Sequence, residues 1–91
     1  MSRVTLDQLA AQVDRLNELA GTPKATLAAG VWQIGNYHTS EAYGAIALHQ
    51  VYDLSGTVRS ISSYGTRREL RNLLDQLIAK AIKETTNVPF N

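Results

Sequence analysis

Residues 47–61, ALHQVYDLSGTVRSI, decide the fold of this chain, because they form either a β-hairpin or the end of a longer helix. Valine, isoleucine and threonine are typical of strands, and Ser55-Gly56 is typical of a two-residue turn. The overlapping stretch SEAYGAIALHQVYDL contains alanines that would permit a helix, but Gly44 would cost that helix about 1 kcal/mol. We favour a strand over residues 43–53, and a helix stays open as the alternative.

Such a strand would present two different faces, because alternate residues point to opposite sides of a sheet. One face would carry Gly44, Ile46, Leu48, Gln50 and Tyr52. The other would carry Tyr43, Ala45, Ala47, His49 and Val51. The first face suits a covering layer of helices, which would leave the second face open to solvent, a ligand or another subunit.

Both flanking segments have helical periodicity. In the first, apolar residues recur every three or four positions at Leu6, Leu9, Val13, Leu16 and Ala20. Thr5 and Gln8 fit a capping box, and Gly21 is a suitable stop. The narrow apolar seam of this helix suits packing on the sheet or pairing with a second copy of the chain. In the last segment, Thr66 and Glu69 fit another capping box, before a wide apolar face between residues 70 and 82.

The fold class predicted from these elements is α+β, in the order helix, three antiparallel strands, helix, with both helices on one face of the sheet. TLAAGVWQI, residues 26–34, would supply the first strand, and TVRSIS, residues 57–62, the last. We expect one domain over residues 1–91, with a frayed tail at residues 86–91.

Composition excludes several classes of function. The chain has 91 residues, 44% of them hydrophobic, a formal net charge of +1 and no cysteine. Disulfides and thiolate metal sites are therefore excluded, and the near-zero charge argues against a nucleic-acid partner. Without an apolar run of about 18 residues, we expect no membrane partner and a cytoplasmic location.

The sequence also lacks the common signatures of catalysis and cofactor binding. His38 and Glu41 are three residues apart, but no third ligand follows at a metal-binding spacing. No serine occupies a nucleophile elbow, and no glycine-rich phosphate or dinucleotide motif occurs. We therefore predict a protein that is not an enzyme, with no catalytic residues, no metal and no cofactor.

Two clusters remain as candidate binding residues. All four tyrosines and both histidines lie between residues 37 and 64, with NYHTSEAYG at residues 36–44 as the densest stretch. Tyrosine combines apolar area with a polar tip, so such clusters occur at pockets and interfaces. Arginines flank the start of the last helix, where free backbone amides favour phosphate. The candidate ligand-binding residues are Tyr37, His38, Tyr43, His49, Arg59, Tyr64, Arg67 and Arg68. The alternatives are ordinary strand tyrosines, a polar turn and solvated arginines around a simple cap.

Three segments resemble a family of small uncharacterised bacteriophage proteins. They are VDRLNELAG (13–21), IGNYHTSEAYGAIALHQV (34–51) and VRSISSYGTRRELRNLLDQLI (58–78). That family combines a VxxLN helix, a GNYH…AYG segment and a GYGT(K/R)REL start to its last helix. The element order also resembles that of double-stranded-RNA-binding domains, although the residues match less well.

The resemblance implies a phage accessory protein that acts on its host by binding. Our leading expectation is a homo-oligomer that sequesters an anionic, nucleotide-like defence signal in the host cytoplasm. A protein-binding inhibitor of a host factor is the first alternative. A module that binds double-stranded nucleic acid is the second.

Overall fold

The structure is a computed structural model that describes residues 3–86. It contains two helices, a small hairpin and a three-stranded antiparallel sheet. In chain order the elements are α1 (Leu6–Ala20), β1 (Leu27–Ala28), β2 (Val31–Trp32), β3 (Tyr37–Ala42), β4 (Ala45–Val51), β5 (Val58–Ser60) and α2 (Arg67–Thr86). The hairpin pairs β1 with β2, and the strands of the larger sheet lie in the order β3-β4-β5.

Local capping fixes where the helices begin. At the start of α1, Gln8 N donates to Thr5 Oγ1 over 3.1 Å, and Thr5 N donates to Gln8 Oε1 over 3.0 Å. The same reciprocal pair joins Thr66 and Glu69 at the start of α2. Gly21, with a left-handed φ of 71°, ends α1. Both predicted capping boxes and the predicted stop are confirmed. The predicted frayed tail begins at Thr86, and the rest of it, residues 87–91, lies outside the described residues.

The core lies between the two helices and one face of the sheet. It joins Leu9, Val13 and Leu16 of α1, Ile46 and Leu48 of β4, and Leu70 and Leu74 of α2. The predicted fold class, α+β with both helices on one face, is confirmed. The ambiguous region 43–53 is a strand from Ala45 to Val51, and its Ile/Leu face meets the helices as predicted.

The first strand of the sheet is not where we predicted it. Residues 26–34 form the small β1–β2 hairpin instead of a single long strand, because the chain turns at Ala29-Gly30. The strand that pairs with β4 is Tyr37–Ala42, inside the stretch NYHTSEAYG. The turns Ala29-Gly30 and Tyr43-Gly44 have positive φ at both residues, as a two-residue type I′ hairpin requires.

The β4–β5 connection also differs from the prediction. A two-residue turn at Ser55-Gly56 would pair Tyr52 with Arg59, but Val51 pairs with Val58 and residues 52–57 form a longer loop. Asp53 organises that loop, since its Oδ1 accepts hydrogen bonds from Ser55 N and Oγ and from Thr57 N. The register moves by an even number of positions, so the predicted faces of β4 are retained.

Candidate binding site

Asn17 attaches α1 to the strand that carries the candidate histidine. Its side chain is fully buried at the end of α1. Asn17 Nδ2 donates to Tyr37 O over 3.0 Å, and Asn17 Oδ1 accepts from Tyr37 N over 2.8 Å. The amide thus pairs with the β3 backbone as a neighbouring strand would. Thr22 Oγ1 donates to the same Oδ1 over 2.7 Å, which completes the polar contacts of this buried group.

Asn36, also fully buried, holds the segment that connects α1 to the hairpin. Its Nδ2 donates to the carbonyls of Pro23 and Lys24 over 2.8 and 3.0 Å. The amide oxygen therefore faces Thr26 Oγ1 at 2.9 Å and His38 Nδ1 at 3.2 Å. Because that oxygen is an acceptor, His38 Nδ1 carries the hydrogen, and the Nε2 of the neutral ring keeps its lone pair.

His38, His49 and Tyr64 lie together on the sheet face opposite the helices. The two histidines are directly paired across β3 and β4, and their ring centroids are 5.9 Å apart, edge to face. The Tyr64 ring is also 5.9 Å from the His49 ring. The Tyr64 hydroxyl lies 2.8 Å from Ser40 Oγ on β3. The Tyr64 ring therefore crosses β4 at the level of Ala47, which is opposite Ser40 and fully buried.

Burial lowers the pKa of His38 below its usual value, and the neighbouring His49 lowers this pKa further. Hydrogen bonding with Asn36 acts in the opposite direction but is the smallest of the three effects. His38 is therefore neutral at pH 7. His38 thus supplies a nitrogen lone pair and ring surface at neutral pH rather than a positive charge.

This shift of the His38 pKa predicts a pH dependence of stability. The unfolded chain takes up a proton at His38 near pH 6.5, and the folded chain does so only at lower pH. The contribution of neutral His38 to the free energy of unfolding should therefore be fully present above about pH 6.5 and be lost as the pH drops through that value. Urea denaturation between pH 7.5 and 5.5 in metal-free buffer would measure the fall, and His38→Gln should reduce it. An equal fall in the variant would contradict the assignment.

Two predicted tyrosines lie apart from this cluster. Tyr37 is on the other face of β3, where it packs against the core under the helices. Tyr43 is at the tip of the β3–β4 hairpin and is fully exposed. The structure thus brings together His38, His49 and Tyr64, and separates them from Tyr37 and Tyr43.

Arg59 forms a second grouping, at the end of the sheet that the helices do not cover. Arg59 Nη2 donates to Gln50 Oε1 over 3.1 Å, and Gln50 Nε2 donates to Gly35 O over 3.1 Å. These residues surround a pocket of about 200 Å³, with Ile34, Val51 and Tyr52 completing its lining. We call this the Arg59 pocket. Sequence reasoning missed Gln50 and Tyr52, because it assigned their side of β4 to the helices.

The start of α2 differs from an open phosphate site. The Glu69 carboxylate accepts a hydrogen bond from Thr66 N, and the Thr66 contacts lower the pKa of Glu69. A negative charge thus already lies at this helix end. Arg67 and Arg68 are both exposed, and Arg67 Nη1 lies 3.5 Å from Val4 O, toward the start of α1. Neither lines the Arg59 pocket.

Large apolar side chains are exposed on the β1–β2 hairpin, on the segment that follows it and on the β4–β5 loop, and two of them line the Arg59 pocket. The Trp32 ring of β2 lies against Gly56 of the β4–β5 loop, which joins the hairpin to that loop. Side chains at this end that are about half or more exposed are Leu27, Val31, Ile34, Tyr52 and Leu54. We call these five residues the apolar end. Several large apolar side chains exposed on one small domain suggest an interaction site.

The fold and these surfaces define an α+β protein with one helix-covered sheet face and a pocket of about 200 Å³ lined in part by exposed apolar side chains. No protein-family model matches the chain, and neither the curated proteins nor the solved structures contain a match to it. No helix within residues 3–86 has both the length and the apolar character needed to cross a membrane.

Proposed function

We propose that the chain is a non-enzymatic phage accessory protein that binds an anionic, nucleotide-like molecule of the host cytoplasm in the Arg59 pocket. The observation that carries this proposal is the convergence of an arginine, an amide and an exposed tyrosine around one small pocket. Sequestering such a molecule requires only binding, which agrees with the absence of any catalytic motif in the sequence.

Each group in the pocket suits one part of such a ligand. The Arg59 guanidinium has several N–H donors in a planar fork that matches a phosphate. The hydrogen bond to Gln50 orients that guanidinium before a ligand arrives. Tyr52 is 64% exposed, which leaves its ring free to stack on a planar base. Beyond its bonds to Gly35 O and Arg59, the Gln50 amide keeps one N–H and one oxygen lone pair for the edge of a base.

The size of the pocket supports a role for a second copy of the chain. Pockets that enclose a whole small-molecule ligand usually have a volume of about 300 Å³ or more. The Arg59 pocket, at about 200 Å³, would hold only part of a nucleotide-like ligand. In our proposal a second copy packs on the apolar end and covers the rest of the ligand, as in the homo-oligomer that we expect.

Arg59→Ala should weaken ligand binding about tenfold or more, because a hydrogen bond to a charged group contributes about 1.5–3 kcal/mol. Thermal-shift screening of untagged protein against cyclic di- and trinucleotides and ADP-ribose derivatives would identify a ligand, and calorimetry would measure its affinity. Arg71→Ala is the matched control, since Arg71 is an exposed arginine of α2 that does not line the pocket.

Equal effects of the two arginine variants, or no ligand in the screen, would refute the Arg59 pocket as an anion site.

The second candidate function, a protein-binding inhibitor of a host factor, is favoured by the exposed side chains of the apolar end. Native mass spectrometry of protein purified from host cells separates the two functions. A stoichiometric foreign protein without a small ligand would favour the inhibitor.

A further inference from the structure

The geometry points to an open two-histidine site for a divalent transition-metal ion, formed by His38 and His49. The site is on the sheet face opposite the helices and does not share a residue with the Arg59 pocket. It is therefore independent of the proposed function. Three observations carry it: the pairing of the two histidines, the hydrogen bond that fixes His38, and an unpartnered nitrogen of His49.

Direct cross-strand pairing places the two rings within reach of one ion. Side chains directly opposite on antiparallel strands have their Cβ atoms about 4.5–5.5 Å apart and point to the same face. Two imidazole nitrogens that bind one zinc ion at about 2.0–2.1 Å bring their ring centroids to about 5 Å. The ring centroids of His38 and His49 are 5.9 Å apart and their planes are nearly perpendicular, so binding requires an approach of about 1 Å and a ring rotation that turns both nitrogens toward the ion.

Asn36 fixes the tautomer and the ring orientation of His38 in a form that can bind a metal ion. A histidine that binds a metal through one nitrogen usually donates a hydrogen bond from the other, which fixes the tautomer and the ring orientation. His38 Nδ1 makes that bond to Asn36 Oδ1, and Asn36 is itself held by two backbone carbonyls. The Nε2 lone pair of His38 is left as the ligand.

His49 supplies the second nitrogen. Its Nε2 is shielded from solvent and has no hydrogen-bond partner among the described residues. A buried polar atom without a partner costs about 1–3 kcal/mol, and an ion between the two rings would remove that cost. The flanking rings are those of His38 and Tyr64. Since χ2 of histidine is a soft torsion, in our proposal the His49 ring rotates to turn Nε2 toward His38 when the ion binds.

The ligand set selects the class of metal. Imidazole nitrogens suit copper, nickel and zinc, whereas magnesium and calcium prefer oxygen ligands. Within residues 3–86 there is no group of three or more histidine, cysteine, aspartate or glutamate side chains placed to hold a metal. Within these residues the proposed site therefore has two nitrogen ligands from the protein, and in our proposal water fills the remaining positions.

Titration of the untagged full chain with Cu²⁺ and with Zn²⁺ tests this site. We expect one ion per chain, and binding at least about tenfold weaker in His38→Gln and in His49→Gln, because each variant leaves one nitrogen of a chelating pair. These are the two histidines of the chain, so each variant is the other's control for binding elsewhere. Wild-type affinity no higher than that of the single variants would overturn the site.

A second measurement does not depend on the folding of a variant. Substoichiometric Cu²⁺ should broaden the ring proton signals of His38 and His49 together in the wild-type NMR spectrum. Broadening of only one ring, or of neither, would overturn the inference. Tyr64→Phe should leave the affinity unchanged within about twofold, because the proposed ligands are nitrogens and its ring surface is kept. A loss of tenfold or more in that variant would replace the two-histidine site with one that includes the phenol oxygen.

Discussion

Asn17→Ala should lower the free energy of unfolding by about 3 kcal/mol, because it leaves the partly buried N–H and C=O of Tyr37 without partners. Each unsatisfied group costs about 1–3 kcal/mol. The higher helix propensity of alanine returns less than about 1 kcal/mol. In a domain of this size such a loss is a large part of the total stability. Urea denaturation followed by circular dichroism measures it.

Asn72→Ala is the matched control, since Asn72 is exposed on α2. The same change of side chain there should alter stability by no more than about 0.5 kcal/mol. Similar losses of stability at the two positions would show that Asn17 does not hold β3.

The loss of Asn17 should also loosen the strand that carries the candidate site, because His38 follows Tyr37 directly on β3. Hydrogen exchange at the amides of β3 should accelerate in Asn17→Ala more than exchange in α2.

Gly56→Ala should destabilise the chain by about 2–4 kcal/mol and displace Trp32 from its position. A Cβ at residue 56 would lie 2.5 Å from Trp32 Cε2, and the φ of 87° is unfavourable for alanine. The left-handed conformation costs about 1–2 kcal/mol, and overpacking adds about 1–3 kcal/mol. Because Trp32 is the one tryptophan of the sequence, its fluorescence reports the displacement directly.

Gly44→Ala isolates the contribution of the tryptophan contact. Gly44 has a similar φ of 79°, but an added Cβ would meet no atom within 4 Å. Only the conformational cost of about 1–2 kcal/mol is expected there, with no change in fluorescence. If the two glycine variants behave alike, the packing of Trp32 on Gly56 does not join the hairpin to the loop.

The helices could be predicted because their signals are local. The capping partners Thr5 and Gln8 are three residues apart, as are Thr66 and Glu69, so the sequence alone indicates both starts. The apolar faces follow the helical period, and the alternation in β4 separates Ile46 and Leu48 from Ala47 and His49. These predictions depend on neighbours along the chain and needed no knowledge of long-range contacts.

The first strand could not be placed because distant residues stabilise it. Tyr37–Ala42 has no alternation of apolar and polar residues, and its backbone pairs at one end with the side chain of Asn17, 20 residues away. The true turns begin with Ala29 and Tyr43, whereas asparagine, aspartate or glycine is the usual signal there. The sequence therefore predicts a single strand where the small hairpin lies, and it does not predict the strand Tyr37–Ala42.

The candidate site was only partly predictable for the same reason. His38 and His49 were selected by residue type, but their direct pairing depends on the register set by the Tyr43-Gly44 turn. Gln50 and Tyr52 were assigned to the helix-covered side, and the sequence does not indicate that the helices leave this end uncovered. The contact of Arg59 with Gln50 follows from a loop that is longer than predicted.

The backbone at Tyr43 bears on natural selection at the hairpin tip. Its φ of 52° is a conformation that a tyrosine adopts at a cost of about 1–2 kcal/mol, whereas glycine adopts it without strain. The ring is fully exposed, so burial within the chain does not offset that cost. Selection for folding alone would favour glycine or asparagine at this position. If related chains keep a tyrosine at this position, the hairpin tip is therefore under selection for contact with another molecule.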